Sequence, residues 1–82
     1  MMRARDFPIK DIYVPTARRK RLDPETVRQL AESILEKGME SPILVRPDGD
    51  RFVLIEGLHR LEACKTLGEQ TIKGFLVQAR KH

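Results

Sequence analysis

The sequence has no tryptophan, one tyrosine, three phenylalanines and one cysteine, and each scarcity removes a class of explanation. With so few rings the core has to be aliphatic, and a surface that stacks successive bases on several aromatics is not on offer. A single cysteine, Cys64, cannot close an intrachain disulfide, so folding needs no oxidising compartment and the lone thiol suits a reducing cytoplasm. Long apolar runs are missing too. The basic start Met1-Met2-Arg3-Ala4-Arg5-Asp6 leads into no stretch that could serve as a signal peptide or membrane span, so the expectation is a cytoplasmic chain with no membrane partner.

Against those absences stand 40% hydrophobic and 34% charged residues, a balance that suits a globular domain rather than a disordered segment. The 82 residues suffice for one domain, which at this size buries only about 60 to 65% of the surface its unfolded chain exposes. No repeat or linker divides them, so residues 1–82 are assigned to a single domain. Sixteen Lys and Arg against twelve Asp and Glu leave a net charge of +4. The excess sits in Arg3/Arg5, in the run Arg18-Arg19-Lys20-Arg21 and in the tail Arg80-Lys81-His82. Such clusters attract polyanions, although a four-residue basic run is more often just a solvated loop.

Phe7 to Val14 carries Ile9, Ile12, Tyr13 and Val14 and stops at Pro15, which predicts a strand. In Leu22-Asp23-Pro24-Glu25, Asp23 is a helix cap, Pro24 suits the first helical position and Glu25 favours the positive helix start. Val27, Leu30, Ala31, Ile34 and Leu35 then recur at helical spacing until Gly38. Pro42 to Arg46 and Arg51 to Ile55 flank Pro47-Asp48-Gly49-Asp50, the signature of a hairpin. Leu61, Cys64 and Leu67 mark a second helix between Gly57 and Gly68, and Thr71 to Gln78 is rich in strand formers. The order is β-α-β-β-α-β, an α+β fold with two helices on a small mixed sheet. Cys64, on the Leu61/Leu67 face, is expected to be a small core residue.

The junction Glu56-Gly57-Leu58-His59-Arg60 is where chemistry concentrates. Glycine admits close backbone approach, and the first amides of the following helix have no intrahelical partners. An anion fits there, with His59 and Arg60 adding donors and Arg able to grip phosphate through two nitrogens. On the first helix Thr26, Gln29, Ser33 and Lys37 form a polar stripe beside the apolar face. That stripe is a solvated flank unless the second helix starts alongside it. An ordinary Gly-started helix remains the competing account of Gly57 to Arg60.

Taken together, Leu22-Asp23-Pro24-Glu25-Thr26-Val27, Leu30-Ala31-Glu32-Ser33-Ile34, Gly38, Pro42-Ile43-Leu44-Val45-Arg46, Gly57-Leu58-His59-Arg60, Leu61-Glu62-Ala63, Leu67-Gly68 and Thr71-Ile72 resemble the ParB N-terminal/sulfiredoxin superfamily over roughly residues 7–78. The resemblance implies the ParB/sulfiredoxin-like fold and a turn, Gly57, Leu58, His59 and Arg60, that holds nucleotide phosphates. It also matches Ser33 to a helix-one hydroxyl contact. Thr26 joins the expected site as a neighbouring hydroxyl on the same stripe, and Arg18, Arg19, Lys20 and Arg21 as cations that close over the ligand or meet a polyanion. ATP or CTP, with Mg2+ as an accompanying ion, are the candidate cofactors, and neither is fixed by the residues.

Two departures limit the transfer. Sulfiredoxins place a catalytic cysteine before the His-Arg pair, and Leu58 stands there, so sulfinic acid reduction lacks its nucleophile. ParB proteins carry glutamate and arginine at positions 58 and 59, with DNA-reading and dimerising regions following the domain. The expectation is therefore binding of a nucleotide or other phosphorylated ligand, with no catalytic or metal-ligating residue assigned and turnover left open. A DNA-binding accessory role in plasmid or chromosome partitioning, a ParB-like nuclease or phosphotransferase, and an interaction module with a vestigial pocket are the alternatives. The protein partner is unassigned.

Overall fold

The computed structural model describes residues 3–39 and 41–78. Strand β1, Arg5–Pro8, runs into a single 3-10 turn at Ile9–Asp11 and then into β2, Ile12–Tyr13. A short helix α1, Thr16–Arg19, precedes the long helix α2, Pro24–Lys37. The hairpin β3, Ile43–Asp48, and β4, Arg51–Glu56, leads to α3, Leu58–Thr66, and the last strand β5, Thr71–Leu76. The five strands form one mixed sheet in the order β1-β5-β3-β4-β2. β3 pairs antiparallel with β4 and parallel with β5, whereas β2 runs parallel to β4.

The α+β fold class is as the sequence indicates, with three differences inside it. The stretch read as one strand from Phe7 to Val14 is two, placed at opposite edges of the sheet. β1 pairs with β5, the 3-10 turn follows, with Ile9 N–H donating to the Gln70 carbonyl at 2.9 Å, and β2 then joins β4. Part of the basic run, expected as loop, is helical, because Pro15 fits the position before a first helical turn and its carbonyl accepts from the amides of Arg18 and Arg19. The last strand ends at Leu76 rather than Gln78.

Helix α2 starts as its sequence predicts, with the Asp23 side chain accepting from Glu25 N–H at 3.3 Å and Pro24 at the first helical position. It packs against α3, and α3 in turn contacts β3. One core joins them. Phe7, Ile43, Leu54, Leu61 and Val45 are its largest fully buried side chains, each contributing about 1.5 to 3 kcal/mol. Cys64 is buried in the same cluster, its thiol donating to Met39 Sδ at 3.8 Å, and burial pushes the thiol pKa up. That environment disfavours the reactive thiolate.

Candidate functional site

The turn between β4 and α3 is set by Gly57, whose φ of +112° lies in the left-handed region that side chains avoid. Crowding makes the requirement stricter. A Cβ added at Gly57 would sit 2.5 Å from Ile43 Cγ2, and one added at Gly74 on β5 would sit 2.9 Å from Ile43 Cγ1. Two glycines therefore seat one buried isoleucine, and that packing fixes where α3 begins. Its first helical hydrogen bond runs from Leu61 N–H to the Gly57 carbonyl at 2.9 Å. The amides of Leu58, His59 and Arg60 precede that bond, the arrangement that makes a helix start attractive to an anion.

Successive residues of this first turn face different neighbours, as a rotation of about 100° per residue requires. Arg60 lines a cleft of about 90 Å³ together with Ser33, Ser41, Gly38, Met39 and Leu30. Arg60 and Ser33, two of the expected site residues, thus meet between α2 and α3. The cleft is well below the roughly 300 Å³ at which small-molecule pockets begin, so it suits an anionic group of a ligand and not a whole nucleotide. Leu58 lines a second cleft of about 280 Å³ with Val14, Arg19, Leu22, Glu62 and Lys65, on the α1 side of the turn. A larger cleft of about 430 Å³ lies at Pro8–Lys10 and Glu69–Thr71 and contains none of the expected residues.

His59 and Thr26 are committed within the protein. The backbone N–H of Asp23 donates to His59 Nε2 at 3.0 Å, and Thr26 Oγ1 donates to Asp23 Oδ2 at 2.6 Å. The Thr26 hydroxyl holds the Asp23 carboxyl below the usual carboxylate range, helped by the amides of Glu25 and Thr26. Gln29, on the same stripe, turns to Glu25 at 3.5 Å.

Ion pairs among the described residues engage Arg28 with Glu25 and Glu32, Arg51 with Asp48, Lys65 with Glu62 and Lys73 with Asp6. Arg60 and Arg18, Arg19, Lys20 and Arg21 are in none of them. Arg19 lies 6.0 Å from the centre of the Tyr13 ring, which Arg51 covers at 4.2 Å. The basic run is exposed throughout. Among the described residues no group of three or more His, Cys, Asp or Glu could hold a metal ion, and no helix is long and apolar enough to cross a membrane.

Ser41 and Met39 were not singled out by pattern. Met39 follows the helix-ending Gly38 and Ser41 precedes Pro42, the residue before β3, and only the packing of α2 on α3 turns that connection toward Arg60. Asp23 was legible as a cap but not as the partner of His59, because a backbone donor leaves no mark in the side-chain sequence.

Comparison with known proteins gives the site a setting. The sequence profile of the ParB N-terminal domain family matches residues 2–82. The chromosome-partitioning protein Spo0J of Thermus thermophilus is 43% identical over 58 residues, which cover 71% of this chain and 22% of that protein. This chain therefore spans about a fifth of that relative's length. Among solved structures, C-terminally truncated ParB from Caulobacter crescentus complexed with CTP-γ-S superimposes with a TM-score of 0.81 at 28% identity, covering 96% of this chain and 46% of that one. Sulfiredoxin from Arabidopsis thaliana does so with a TM-score of 0.80 at 29% identity, covering 96% and 86%.

Proposed function

The chain belongs to the ParB N-terminal domain family, and on that premise we propose that it binds the phosphates of a nucleotide at the start of α3. The observation that carries this reading is that Arg60, in the first turn of α3, and Ser33 of α2 line one small polar cleft. Gly57 lets a phosphate approach the backbone, and the amides of Leu58, His59 and Arg60 supply donors at the positive end of the helix. Arg60, free of any ion pair among the described residues, supplies the charge and Ser33 a hydroxyl. Thr26 supports the site through Asp23, its hydroxyl proton being already committed.

CTP and ATP are the ligands of choice for this reading, CTP with the support of the CTP-γ-S complex of the Caulobacter protein. The Arg60 cleft takes phosphate alone, so the nucleoside lies outside it. An accompanying Mg2+ would rest on phosphate oxygens, since no cluster of acidic side chains among the described residues is placed to seat it. A titration of CTP, ATP, ADP and pyrophosphate followed by backbone amide shifts tests the phosphate binding, with the expected shifts centred on residues 57–61, Ser33 and Ser41. Shifts that bypass those residues, or none, would remove the reading.

A second reading rests on a different observation: the exposed cations of α1 and the turn after it have no acidic partners among the described residues. A chromosome-partitioning relative makes duplex DNA the natural polyanion for that surface. In the same titration, shifts at residues 16–22 that appear with duplex DNA and vanish at raised salt support it.

A further inference from the structure

Among the described residues, side-chain hydrogen bonds are local within their own helix or turn with two exceptions, Cys64 to Met39 in the core and Asp23 N–H to His59 Nε2. The second joins residues 36 apart in sequence and ties the cap of α2 to the first turn of α3. A backbone amide can only donate. The imidazole nitrogen facing it must therefore be bare, and a neutral ring that is bare at Nε2 carries its proton at Nδ1.

We infer that Asp23 is a positioning residue of the phosphate site, its backbone N–H holding His59 as the neutral Nδ1-protonated tautomer. This deepens the reading above and rests on it for its functional meaning. It divides the work of the neighbouring basic pair. His59 offers one neutral donor at a fixed ring orientation, and Arg60 alone supplies positive charge from the side chains of the turn. The same bond anchors the segment that carries Arg18 to Arg21, because Asp23 closes the turn between α1 and α2. The carboxylate of Asp23 is the acidic group of α2 near the ring, and it is occupied by the Thr26 hydroxyl and the Glu25 amide.

Long-range proton-nitrogen correlation spectra of the full chain at neutral pH read the ring directly. The expected pattern is a protonated Nδ1 and a bare Nε2, unchanged when pyrophosphate is added. Amide exchange supplies the second measurement. Asp23 N–H is protected in the wild type and in His59→Gln, whose carbonyl can replace Nε2 as acceptor, and exchanges about tenfold faster in His59→Ala, the equivalent of one lost hydrogen bond. A proton on Nε2 in the wild type, or an Asp23 exchange rate unchanged in folded His59→Ala, would overturn the inference. If pyrophosphate leaves residues 57–61 unmoved while the tautomer and the protection are as expected, the phosphate reading falls and the Asp23–His59 bond stands.

Discussion

A side chain at position 57 has two obstacles, the positive φ and the Ile43 methyl 2.5 Å from where Cβ would lie. Gly57→Val should therefore cost at least the roughly 1 to 3 kcal/mol of a strained backbone, with the steric term added, and a thermal melt measures it. A melting temperature equal to the wild type would mean the turn is not held by Ile43. Cys64 makes the opposite case. Buried beside Met39 with its pKa pushed up, it packs rather than reacts, so Cys64→Ala should lose on the order of 1 kcal/mol in a urea titration and keep pyrophosphate binding. Loss of binding in the folded variant would assign the thiol a role it lacks here. The residue types at the turn were legible in the sequence, since glycine before a His-Arg pair at a helix start has a physical meaning of its own. The partition of that pair was not, because nothing in the order of residues says that a backbone amide 36 positions away reaches His59.

Helix α2 shows how far local signals reach. Asp23, Pro24 and Glu25 mark its start and Gly38 its end, and both hold in the structure, whereas the apolar period is correct only in part: Ala31 is buried, but Leu35, read onto the same face, is 73% exposed. The cap also makes a prediction about acid. Asp23's carboxyl titrates below the usual carboxylate range when folded, so its stabilising contribution is present above the unfolded value and lost as pH falls through the folded one. Asp23→Asn keeps a capping acceptor without the charge. The stability advantage of wild type over Asp23→Asn, read by chemical denaturation, should shrink as pH drops below about 4. An advantage that grows with acid would reverse the sign and refute the assignment. The split of the first strand was a harder reading. Phe7 and Ile9, then Ile12 and Val14, are all buried, and the spacing of three between the pairs breaks the period of two. That slip marks the 3-10 turn, but only the pairing partners at opposite sheet edges separate two strands from one irregular one.

The whole molecule combines a mostly aliphatic core that also buries Phe7, a small polar cleft at Arg60 and an exposed basic segment on the α1 side. Fold and family could be read from the sequence because capping, hairpin and helix-end signals agree with one another along most of the chain. Which face the basic run serves depends on tertiary placement and could not. If duplex DNA engages it, each phosphate contact removed from Arg18 to Arg21 by alanine should flatten the salt dependence of binding by about 0.9 in the log-log slope. An unchanged slope would take DNA away from this surface. Structural likeness to sulfiredoxin carries the fold; because Leu58 occupies the position where the resemblance requires a thiol, a peroxiredoxin-reduction assay is expected to give no turnover.

Calorimetric titration of CTP, ATP and pyrophosphate into wild type, Arg60→Ala and the exposed control Lys10→Ala bears most directly on the phosphate turn. Arg60→Ala should weaken binding by about 1.5 to 3 kcal/mol, roughly 10- to 150-fold, the scale of a lost hydrogen bond to a charged group. Lys10→Ala should bind as the wild type does. Equal affinity in wild type and folded Arg60→Ala, or no binding of any of the three by the wild type, would contradict the account.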